Sequence, residues 1–141
     1  MKEYIGTLVA VGTGVLSWLV GGFDTPVLAL VICMGADYVT GLIVAGVFHS
    51  SPKTSGGGLD SAVGWKGLAR KFVTLLIVVV ANLADMMLEL GYIRDAVIAG
   101  FCANECISIL ENAGHMGIRI PKALRQALEH LNQAETDHDG A

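Results

Sequence analysis

Charge is what this sequence has least of. Only 16% of its 141 residues are Asp, Glu, Lys or Arg, where soluble domains carry about 25%. Beside 53% hydrophobic residues, that shortfall excludes an ordinary water-soluble domain. Nine basic residues against thirteen acidic leave no positive field for a nucleic acid, so no nucleic-acid partner is expected. The net charge of -4 says little more, because Glu129, Glu135, Asp137 and Asp139 crowd the C-terminus. Cysteine is scarce too: Cys33, Cys102 and Cys106 all sit in apolar stretches and read as inert thiols. Cys102 and Cys106 share a helix face, a poor arrangement for a disulfide. His49, His115, His130 and His138 are scattered without metal-ligand spacing, so neither metal nor other cofactor is expected. Catalytic patterns are missing as well. Gly56-Gly57-Gly58 lacks the spacing of a phosphate loop and follows no strand. Asp37 and Asp85 lack the Gly-x-Gly-Asp context of an intramembrane protease, and no Ser/His pair faces them. The chain is not expected to be an enzyme.

What is present is length without charge. Phe72 to Ala81 holds no charged residue, and the apolar character continues to Tyr92. About 20 such residues at ~1.5 Å each match the ~30 Å hydrocarbon core of a bilayer. The pattern predicts an all-α integral membrane protein with four transmembrane helices, at about 5–22, 26–48, 72–91 and 95–112. Each carries a small or polar face. Gly6, Ala10, Gly14 and Ser17 fall on one side of the first helix, where small side chains let another backbone approach. Asp37, Thr40 and Gly41 share a face near the middle of the second. Asn82, Asp85 and Glu89, at i, i+3 and i+7, form an acidic stripe on the third. Asn104, Glu105, Ser108, Glu111 and Asn112 fall within about 120° on the fourth. A central Asp in lipid costs about 2.5–3.5 kcal/mol even on lenient scales. These faces are therefore expected to meet protein, a pore or water.

The connection from His49 to Arg70 is polar and flexible in composition as far as Gly58, then predicts a short helix from Asp60 to Lys71. Trp65, Lys66, Arg70 and Lys71 suit a headgroup interface. Residues 1–113 read as the transmembrane domain and 114–141 as a cytosolic part. The latter holds an amphipathic helix from Lys122 to about Gln133 and a disordered tail from Thr136. With four spans and both termini cytoplasmic, eight basic residues lie inside and Arg94 alone outside, the expected bias. With three spans the ratio weakens to five against four.

The ordered set Asp37-Tyr38-Val39-Thr40-Gly41, Gly64-Trp65-Lys66-Gly67-Leu68-Ala69-Arg70-Lys71, Arg94-Asp95, Ala103 to Asn112 and Gly117 to Pro121 resembles the holin family. That family serves phage lysis and toxin secretion in Gram-positive bacteria and their phages. The resemblance implies a homo-oligomer in the cytoplasmic membrane of a bacterium, with lipid and its own copies as partners. Its lesion would release an endolysin or a toxin without binding it directly, and an antiholin is a further partner the family admits. The family is often drawn with three spans, against the four counted here. A small cation channel or transporter subunit would use the same acidic faces, and a purely structural membrane scaffold is the third reading.

Overall fold

The computed structural model describes residues 1–136; the tail residues 137–141, expected to be disordered, lie outside it. Five helices follow in order: α1 (Lys2–Leu19), α2 (Thr25–Gly46), α3 (Ser61–Leu88), α4 (Ile93–His115) and α5 (Lys122–Thr136). Among the described residues there is no strand.

Local chemistry sets the boundaries. Asp24, in extended conformation, caps α2 by accepting from the Val27 N–H, with Pro26 in the first turn where its missing N–H is harmless. Asp60 caps α3 by accepting from Ala62 and Val63 at 2.8 and 3.3 Å. The short helix expected at 60–71 and the third span are a single helix of 28 residues. No proline interrupts it, and Gly64 and Gly67 weaken a helix without breaking it. At ~1.5 Å per residue it is ~42 Å long, so it outreaches the ~30 Å hydrocarbon core. Its end corrects one expectation: Glu89 is the C-cap in left-handed conformation (φ 53), exposed, so it leaves the stripe drawn through Asn82 and Asp85.

The packed unit is α2, α3 and α4. Val27, Leu30 and Met34 of α2 meet Val78 of α3 and Ile98 of α4, with Phe101 and Val97 against them. Most other large apolar side chains face outward. Ile32 is 68% exposed, and Phe72 and Val80 are each 64% exposed. A soluble protein rarely shows so broad an apolar surface; in lipid it costs nothing. Two helices, α2 and α3, are long and apolar enough to cross a membrane by length and composition, where the sequence pattern suggested four. α1 opens on Lys2-Glu3, and α4 carries Arg94, Asp95, Glu105 and Glu111, which dilutes both.

α1 stands apart. It has no buried residue, and nothing lies within 4 Å of where a Cβ would project from Gly6, Gly12 or Gly14. Of its small-residue face, Gly6, Ala10 and Gly14 are exposed and Ser17 is half-buried. Within one chain Gly6 and Gly14 of that face pack on nothing.

Candidate functional site

Three helices bring their polar residues to one point. Lys71 of α3 reaches between α2 and α4. Its Nζ donates to Asp37 Oδ2 at 2.7 Å and to Glu105 Oε2 at 2.5 Å. All three side chains are only 12–15% exposed. Asn112, buried on α4, donates through Nδ2 to Thr40 Oγ1 at 2.9 Å and to Asp37 Oδ1 at 3.3 Å. Thr40 donates in turn to the Asp37 carbonyl at 3.0 Å. Helical spacing makes this possible: Asp37, Thr40 and Gly41 share one face of α2, and Glu105, Ser108 and Asn112 share one face of α4. Gly41 lies beside the cluster, where a Cβ would make only ordinary contact with Asn112 Nδ2 at 3.8 Å. The cluster carries one positive and two negative charges, so without Lys71 two part-buried carboxylates would be left uncompensated.

Beside the cluster lies a half-open cavity of about 500 Å³. Its lining divides by exposure into a buried to half-buried floor, Asp37, Lys71, Glu105 and Asn112, and an exposed mouth, Lys53, Asp60, Lys66 and Arg70. Asn104 and Ser108 also line it. The cavity thus opens beside a charge cluster flanked by apolar helices. Among the described residues no group of His, Cys, Asp or Glu could hold a metal ion.

A second knot ties the loop ends at the far end of α3. Asp85 accepts from the N–H groups of Tyr92, Ile93 and Arg94 at 3.1, 2.9 and 2.8 Å, capping α4 from outside that helix. Asn82 donates to the Leu19 carbonyl at 3.0 Å. Arg94 donates to the carbonyls of Gly21 at 2.7 Å and Val20 at 3.2 Å, and pairs with Asp24 and Asp95. Gly21 needs to be glycine: its φ is +81, and a Cβ would collide with Asn82 and Arg94.

Of the residues picked out from sequence, Asp37, Thr40, Glu105, Ser108 and Asn112 come together, with Asn104 exposed at the cavity. Asn82 and Asp85 form the separate knot, while Glu89 and Glu111 are exposed and join neither. Trp65, Lys66 and Arg70 are exposed, the last two at the edge of the cavity. Lys71 is not: it turns inward to the two acids. Its position at the head of an uncharged run hid that role, and Arg94 was read for topology and resemblance, not as the residue that ties the loop at Gly21 to Asp24. Cys33 and Cys106 face one another across α2 and α4 as free thiols, their Sγ atoms 3.9 Å apart, within sulfur hydrogen-bond distance.

A profile of the bacteriophage holin family matches residues 14–133, which includes α2, α3 and α4 whole. The chain belongs to the bacteriophage holin family. A probable holin of Bacillus phage phi105 is 34% identical over 104 residues, 73% of this chain and 69% of the phage protein. An uncharacterised protein of Listeria innocua is 38% identical over 115 residues, 81% of this chain and 76% of its own length. An uncharacterised 14.9 kDa protein of Clostridium perfringens is 33% identical over 127 residues, 89% of each chain. No solved structure matches. Membership of the holin family implies a membrane protein with a role in phage lysis that is not enzymatic. The exposed apolar helix faces and the enclosed charge cluster suit that role.

Proposed function

We propose that the chain is a holin that assembles with its own copies into a lesion in the bacterial cytoplasmic membrane. An endolysin or a toxin leaves the cell through it, without binding to it. The observation that supports this reading is the Lys71–Asp37–Glu105 cluster, set beside a polar cavity inside a bundle whose outer surface is apolar. Such a bundle is stable in lipid as a single chain and already holds the polar groups a water-filled lesion needs. Four crossings with both termini cytoplasmic remain the favoured topology, because they set eight basic residues inside against Arg94 outside.

Asp37 and Glu105 are paired, and Asp85 is capped, within one chain, so these three acids meet protein without a second copy. Assembly then starts from exposed apolar and small-residue faces, α1 foremost, and water reaches the charge cluster afterwards through the cavity.

Induced expression in a bacterial cell tests the proposal, with membrane potential and release of a folded cytosolic enzyme followed together. Loss of potential accompanied by enzyme escape is expected. Depolarisation without escape would replace the lesion with a small cation channel, and silence in both readouts would remove a pore of either kind.

A further inference from the structure

We propose that the mouth of the cavity between α2, α3 and α4 holds the headgroup of an anionic phospholipid, with Lys53, Lys66 and Arg70 as its ligands. The proposal rests on the membrane topology above and adds a specific occupant.

Charge complementarity is the first argument. Among the described residues, Lys53, Lys66 and Arg70 have no carboxylate partner; the ion pairs belong to Lys71 and Arg94. Asp60 is the one acid at the mouth, and its Oδ1 already accepts two N–H groups of α3. Three cations against one anion leave the mouth at +2. The floor, Lys71 with Asp37 and Glu105, stands at −1. An anion is drawn to the mouth and kept off the floor. A cavity of about 500 Å³ falls in the ordinary range for a small-molecule site, roughly 300–1,000 Å³.

Continuity with apolar surface is the second argument, and it selects a lipid over free phosphate. At 100° per residue, Val73, Ile77 and Val80 fall on the same side of α3 as Arg70, one to three turns deeper. They are 51%, 43% and 64% exposed, an open track for an acyl chain below the cations. Trp65, 72% exposed one residue from Lys66, marks headgroup depth. A free phosphate would use the cations and ignore the track.

The test is lipid retention by the full chain in nanodiscs, read by native mass spectrometry, with phosphatidylglycerol and phosphatidylcholine compared. The expected result is one tightly held phosphatidylglycerol per chain, no comparable phosphatidylcholine, and no displacement by millimolar inorganic phosphate. At about fivefold per basic residue near a surface, the Lys66→Gln/Arg70→Gln double variant should weaken retention roughly 30-fold. The Lys122→Gln/Arg125→Gln variant, outside the cavity, should not weaken it. Lys53→Gln, in a loop that no helix depends on, gives a second reading should the double variant lose helicity by circular dichroism. Equal retention of both lipids by the unaltered chain overturns the proposal. So does displacement by phosphate, or equal loss in the control variant. Retention is independent of lysis: a chain that leaks but holds no lipid sinks this site alone, and one that holds lipid but never leaks sinks the holin reading alone.

Discussion

Lys71 Nζ sits 2.7 Å from Asp37 Oδ2, joining α3 to α2 across 34 residues of sequence. The pair adds a polar tie to the apolar packing of Val27, Leu30, Val78 and Ile98, which lipid alone gives little reason to form. Glu105 completes the contact from α4 at 2.5 Å.

Removing the cation therefore strands two acids. Lys71→Gln is expected to destabilise the bundle by about 3–5 kcal/mol, the cost seen when one partner of a buried pair is deleted. Thermal unfolding in detergent measures this directly. Adding Asp37→Asn and Glu105→Gln to the same chain should recover much of the loss. A triple variant no more stable than Lys71→Gln would show that the ion pairs are not what joins the helices.

Asp85→Ala is expected to fray the start of α4, since three N–H groups lose their acceptor. Loss of a good N-cap costs about 0.5–2 kcal/mol. Hydrogen exchange at Tyr92, Ile93 and Arg94 should accelerate while amides around Ile98 stay protected. Unchanged exchange at those three positions would refute the capping role.

Gly21→Ala should release α1. The new methyl group meets both Asn82 and Arg94, and the backbone there has φ +81. Protease access between residues 19 and 25 in reconstituted protein is expected to rise, with the α2–α4 unit intact. Gly12→Ala, where nothing lies within 4 Å, is the matched control and should leave access unchanged.

Arg94→Lys is not a conservative change. One guanidinium reaches the carbonyls of Val20 and Gly21 and the carboxylates of Asp24 and Asp95; an ammonium has neither the fork nor the number of donors. The variant should behave like Gly21→Ala in the same protease assay. Wild-type protection would assign the knot to Asn82 alone.

Much of this was legible in the sequence, and the gaps have a physical pattern. The all-α class and the helix order followed from the apolar runs, although the short helix expected at 60–71 and the third span are one helix. The faces of α2 and α4 followed from helical spacing, and five of their polar residues do converge. What periodicity could not supply was the partner. Lys71 looks like an interface anchor until a neighbouring helix places Asp37 opposite it. Asp85 looks like a pore acid until the chain folds back and brings the Tyr92 to Arg94 amides to it. Glu89 was lost for a local reason: a C-cap leaves the helical register, so spacing counted through it fails.

The two polar knots lie toward opposite ends of α3. From Lys71 to Asn82 is eleven residues, about 16 Å along the axis at ~1.5 Å each. A subunit built this way behaves like a clothes-peg, with the Asn82–Arg94 clasp as its spring and the Lys71 contact as its jaws. The jaws can part to admit water while the clasp keeps α1, α2, α3 and α4 in one piece. Spin labels at residues 45 and 110 should then separate when the cell depolarises, while a pair at residues 20 and 95 keeps its distance.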